Sequence, residues 1–211
     1  MPVTSRTALL FASVLTLSAC ASTRSSEVAP TTAQFEEITV QRINVVGPDG
    51  SLRVVLANED LMPLPIMDGD TVAARSIAPA GVLFYTLDGD EAGGIAVSEH
   101  PERGTQVASI FDYSNSDGLA VGVQDVGEAG YGALIGIRDR QPLGVPIAEL
   151  PNGSAGPMRV MMINQNGTAM LMLNDGEERP RIRLIVTEQG DARVEVLDAE
   201  GNVVDSLPRS E

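Results

Sequence analysis

An all-β fold is what this sequence predicts: an antiparallel meander of β-hairpins forming a sandwich or roll, with no long helix after the leader. Three observations carry that expectation. A glycine falls at the same offset in three similar stretches, INVVGPDGSLRVVL from Ile43, VMMINQNGTAMLML from Val160 and VEVLDAEGNVVDSL from Val194. The runs flanking these turns alternate at or near period two, as strands with two distinct faces do. Beyond residue 19 no stretch sustains a helical period.

In chain order, residues 1–19 come first. Arg6 supplies a positive start, and Ala8 to Leu17 is an apolar run too short to span a bilayer as a stable helix. The run ends in Leu17-Ser18-Ala19-Cys20. This motif resembles the lipobox of bacterial lipoproteins. The resemblance implies cleavage of a signal peptide before Cys20 and lipid on the new N-terminal cysteine, with Ala21, rather than Asp, pointing to the outer membrane. Several acyl chains would hold the protein on a membrane, since each buried methylene contributes roughly 0.8 kcal/mol. Cys20 is the only cysteine, so an intramolecular disulfide, a zinc–thiolate site and CxxC redox chemistry are all excluded.

Residues 20–34 are small and polar after the cysteine and read as a flexible tether. The β domain is expected over 35–208. FEEITVQRINVV opens it, with Arg42 interrupting the alternation as a bulge would. Residues 57–81, with three prolines and Asp68-Gly69-Asp70, read as a long loop suited to a binding edge. Strands follow at Val82–Thr86 and Gly94–Val97, at Val107–Asp112 and Leu119–Val123, and at Ala133–Ile137. In LAVGV and ALIGI small residues alternate with large ones, leaving one face open to a close neighbour. Four prolines make 141–157 a second loop.

The last third contains IRLIV-TEQG-DARVEVL-DAEG-NVVDSL. A type I turn closed by a left-handed glycine suits both reversals. Pairing Thr187 with Asp191 sets Leu184 against Val194, Ile182 against Val196 and Arg183 against Glu195, an apolar face and a charged one. The same rule applied to Asn164–Gly167 pairs Met162 with Met170 and Met161 with Leu171. Both faces of that hairpin are apolar, which predicts cover on two sides by a second sheet or another subunit. The region from Phe35 resembles hairpin-rich bacterial proteins with a DxxG turn, a resemblance that implies architecture alone.

Acidic residues outnumber basic ones 29 to 14, a net charge of −15, and loss of Arg6 with the leader makes it −16. Nucleic acid is therefore excluded as a partner, because it demands a positive surface. Every basic residue other than His100 is Arg; without Lys there is no Schiff-base chemistry and no P-loop. His100 is the sole histidine, and Ser154 in NGSAG does not match the GxSxG elbow, so a Ser-His-Asp triad is not expected. Asp88, Asp90 and Glu91 are weak Ca²⁺ candidates, as is the Asp68–Asp70 pair, but neither has the EF-hand spacing and turns favour Asp on their own account. A glycosidase pair would lack aromatic platforms, since Trp is absent and aromatics make up 3% of the chain. Arg179, Arg181 and Arg183 should share a solvent face with Glu195. The methionines at 158, 161, 162, 170 and 172 fit packing better than Cu(I).

These readings lead to a lipid-anchored envelope domain with a non-enzymatic structural or protein-binding role. It would be attached to a membrane through Cys20, need no cofactor, and have a protein partner or further copies of itself as contacts. A carboxylate-dependent hydrolase and a Ca²⁺- or small-ligand-binding module stand as alternatives.

Overall fold

A computed structural model describes residues 32–71, 79–146, 149–150 and 155–209. It is an all-β meander. β1 (Arg42–Val46) and β2 (Leu52–Ala57) form the first hairpin, and a small separate hairpin follows, β3 (Ile66–Met67) with β4 (Asp70–Thr71). β5 (Ala80–Tyr85), β6 (Glu91–His100), β7 (Gly104–Tyr113), β8 (Ser116–Asp125) and β9 (Tyr131–Arg138) come next. The chain ends in β10 (Met158–Gln165), β11 (Thr168–Asn174), β12 (Pro180–Val186), β13 (Ala192–Leu197) and β14 (Val203–Leu207). Apart from β3 and β4, these strands form one 12-stranded antiparallel sheet in chain order, with β1 and β14 at its edges. A 3₁₀ turn, Gly127–Ala129, links β8 to β9.

The reversals follow from turn chemistry. In four of them the amide of the first turn residue donates to the carbonyl four residues on, and the glycine amide donates back: Gly47–Ser51, Thr86–Asp90, Thr187–Asp191 and Asp198–Asn202. The closing residues Gly50, Gly89, Gly190 and Gly201 have φ of 81°, 98°, 92° and 87°, the left-handed region where a side chain is strained. A fifth turn, Asp175–Arg179, puts Glu178 at φ 60° in the glycine position. Its carboxylate accepts the Met158 amide at 2.6 Å and lies 3.5 Å from Arg138, contacts a glycine would lack.

The expected register holds throughout 182–196, including Arg183 opposite Glu195. At the methionine hairpin it is one residue out. Met162 pairs with Leu171 and Met161 with Met172, because Gln165 pairs directly with Thr168. Asn166 and Gly167 both have positive φ, 48° and 81°, making a two-residue type I′ turn instead of the bulged one. The pairing of β1 also differs from expectation. Residues 35–41 form no strand: β2 ends at Ala57, the partner of Arg42, and the pairing closes with the Asn58 amide donating to the Gln41 carbonyl at 3.1 Å. The irregularity lies at Val45/Val46 beside the turn, while Arg42 donates to the Leu61 carbonyl and to Asn44. Strands β6 to β8 run several residues beyond the expected limits, carrying Gly93, Gly94 and Gly122 inside the ladder.

Cross-strand register sorts the side chains into rows. One row runs Ile43, Leu56, Val82, Ile95, Ser109, Val121, Ile135, Met162, Leu171, Leu184, Val194, Leu207 and so touches all 12 strands with a single polar member. The adjacent row on this face includes Val54, Phe84, Phe111, Ile137, Leu173 and Val196. The other face mixes small, polar and apolar residues, such as Gly81, Ala96, Ala108 and Gly122 in one row.

Burial is opposite to the usual arrangement. The mixed face is the covered one. Over its N-terminal part, Val55, Ala57, Leu83 and Tyr85 form a buried cluster, with Met62 and Ile66 of the 58–79 connection packed on it. In the middle, the connection after β9 is stitched down: the Asn115 amide donates to the carbonyls of Gln141 and Pro142, and the Gln141 amide donates to Ser116 Oγ. Over β12 and β13, Arg183 and Arg193 close on Glu195, which is 8% exposed, beside buried Ile185 and Leu197. The apolar face has no such cover among the described residues: Ile95, Phe111, Val123 and Met162 are each 50% or more exposed.

Candidate functional site

The uncovered apolar face is the largest feature that could do work. Its origin is local. Strand alternation sends every second side chain to one side, and the type of each turn fixes the register of its hairpin so that successive strands stay in phase. The rows therefore continue from hairpin to hairpin. Over β7 to β12 the face sinks into an open groove of about 720 Å³, walled by Val121, Ile135, Met162, Leu171, Leu184 and Val186. Phe84 and Phe111 stand on the same face, 37% and 52% exposed. A contiguous apolar patch of this extent on a water-exposed surface marks a contact site.

The mixed face carries a second feature. A pocket of about 370 Å³ opens between the 58–79 connection and the sheet, lined in part by Glu91, Ser98, Gln106, Asp112 and Asp117. Asp112 and Asp117 are direct cross-strand neighbours on β7 and β8. Burial pushes the Asp117 carboxyl above its ordinary range, against the pull of Arg138. A carboxyl shifted in this direction holds its proton to higher pH than an ordinary aspartate, and the protonated form can donate a hydrogen bond or a proton. Sequence reasoning missed this pocket. A signal for it exists, since Asp112 and Asp117 flank the turn of one hairpin at mirrored positions.

The residues singled out from sequence are dispersed. Cys20 and Ser154 lie outside the described residues. His100 sits at the β6–β7 turn, where its Nδ1 accepts the Glu102 amide at 3.1 Å. Asp88 belongs to a turn, whereas Asp90 Oδ1 accepts the Gly69 amide at 2.7 Å and so ties that turn to the small hairpin. Glu91 is 9% exposed at the start of β6 and lines the acidic pocket. No group of three or more His, Cys, Asp or Glu side chains among the described residues is placed to hold a metal. Met161 and Met172 face the covered side, and Met162 the open one; the expectation of cover on both sides of that hairpin is not met among the described residues.

Of the three arginines expected to share a solvent face with Glu195, only Arg183 pairs with it, and the face they share is the covered one, because the apolar side of the sheet is the one left open. Arg183 lies 2.6 Å from Glu195 Oε2 and Arg193 2.8 Å from Oε1. Arg179 and Arg181 turn to Asp175, at 2.9 and 3.6 Å. Burial works to raise the Asp175 carboxyl, but hydrogen bonds from the Arg179 side chain and backbone prevail and hold it at about 2. The hydroxyl and amide of Ser51 likewise lower Asp49, and Asn202 lowers Asp198.

No helix among the described residues is long and apolar enough to cross a membrane. No family model, curated protein or solved structure matches the chain.

Proposed function

We propose that this chain is a lipid-anchored domain of a bacterial envelope, held to a membrane through Cys20, whose role is to bind protein through the apolar face of its sheet. The observation that supports the reading is the row that crosses 12 strands with Ser109 its one polar member, most of its side chains exposed. Left in water, such a face costs roughly 25 cal/mol for each Å² that a partner would cover. A small ligand is disfavoured, because ligand sites enclose most of their occupant and this groove is open along its length. The lipid anchor rests on Leu17-Ser18-Ala19-Cys20, and the outer membrane on Ala21.

Two measurements test the reading. Mass spectrometry of the protein purified from membranes should find an N-terminal, acylated Cys20, and soluble protein retaining residues 1–19 rejects the anchor. A photo-crosslinking residue at Val121 or Ile135 should capture protein in intact cells, and capture of lipid alone or of nothing rejects the binding role. The acidic pocket supports a second reading, a carboxylate-dependent hydrolase with Asp117 as acid. Turnover of ester or glycoside panels that vanishes in Asp117→Asn would favour it.

A further inference from the structure

We infer that the occupant of the apolar face is a second copy of this chain, related by a two-fold axis that runs parallel to the strands through the middle of the sheet. The inference rests on the protein-binding reading above and names the partner. Size comes first. Twelve strands about 4.8 Å apart, bearing rows about 6.8 Å apart, present roughly 1,000 Å² on one side. A stable protein interface needs about 800 Å² per partner.

Shape comes second. A two-fold interface must be self-complementary, each feature meeting its counterpart twice. The strand order places β5 third, β7 fifth, β10 eighth and β12 tenth of the 12. An axis between β8 and β9 sets third against tenth and fifth against eighth. Because rotation about that axis leaves position along the strands unchanged, Phe84 and Phe111 of one copy then lie over Ile182 and Val160 of the other, in the row next to the Leu184 and Met162 that wall the groove, so apolar meets apolar. The same contacts form in reverse.

Charge comes third. The row that crosses every strand carries no ionisable side chain, so two copies of a protein with net charge −15 can meet there without like charges in contact. An anionic lipid surface is a poorer fit. The turns around the face bear Asp49, Asp88, Asp175, Glu188 and Asp198; arginines lie against Asp49 and Asp175, and the other three keep the margin negative.

The experiment uses the full chain expressed in a bacterium with an outer membrane. Ile135→Cys puts a thiol beside the axis, while Leu134→Cys puts one on the opposite face one residue away. A short bis-maleimide should give a product of twice the chain mass from Ile135→Cys, at least tenfold above Leu134→Cys and the unsubstituted chain. Mass spectrometry of that product should find one sequence. Sedimentation of the extracted protein should show a dimer that Ile135→Glu converts to monomer with the β circular-dichroism spectrum retained. Equal products from both thiols, or a monomer at micromolar concentration, overturns the inference. Attachment of the Ile135→Cys variant to a different protein also overturns it while leaving the binding role intact, and no adduct with any protein removes both.

Discussion

Single side chains in this sheet differ widely in what they contribute. Glu195 is 8% exposed and answers two arginines, so removing Arg183 leaves a buried carboxylate half paired. Arg183→Ala should cost about 2 kcal/mol in urea unfolding, below the ~3–5 kcal/mol of a lone buried pair because Arg193 remains. Acid should act through the turn carboxylates. Asp49, Asp175 and Asp198 have folded pKa values below their ordinary range, so their stabilisation is complete above about pH 4 and lost as pH falls through the lowered values, near 2 for Asp175. A Tm profile should decline below pH 4, and Asp175→Asn should flatten it. Asp117 has the opposite sign. Its raised pKa means the folded state resists ionisation, so this penalty is absent at low pH and grows as pH rises through the folded value. Asp117→Asn should raise Tm at pH 7 and leave it unchanged in acid, and a fall in Tm at pH 7 would show that the carboxylate is stabilising instead.

At the scale of one hairpin, the glycines are not equivalent. Gly201 has φ of 87° with no atom within 4 Å of a built Cβ, so Gly201→Ala meets only the left-handed penalty, about 1–2 kcal/mol. Gly93 has φ of 118° inside β6, and a Cβ there would collide with the Ile110 carbonyl oxygen. Gly93→Ala should therefore lower the urea midpoint more than Gly201→Ala, and equal losses would show that the β6–β7 ladder gives way. The same contrast explains what is legible beforehand. DAEG and TEQG announce their turn type through Asp or Thr and a terminal Gly, and the register around them follows. NQNG hides a two-residue Asn166-Gly167 turn inside a similar four-letter string, and the pairing slips by one. Strand lengths are underestimated where Gly93, Gly104 and Gly118 sit inside the strands beyond the expected limits, since glycine elsewhere marks a break. The acidic pocket needs Glu91, Asp112 and Asp117 from three strands to converge under a connection, which no local pattern encodes.

For the whole molecule, each strand of the sheet bonds only to its neighbours in sequence order, and nothing pairs β1 with β14. Opening should then proceed inward from the margins, as in other nearest-neighbour assemblies. Native-state hydrogen exchange should give amides of β7 to β10 the greatest protection and those of β14 the least; uniform protection would show that the sheet opens as one unit. Such a ribbon also has no seam whose geometry limits the number of strands. Deleting β13 and β14 together would leave β12 as a margin much like the one it replaces, and inserting a hairpin of matched phase would widen the oily side by two strands. Breadth of grip is thereby a quantity that this architecture can adjust in steps of one reversal, without redesigning what lies between.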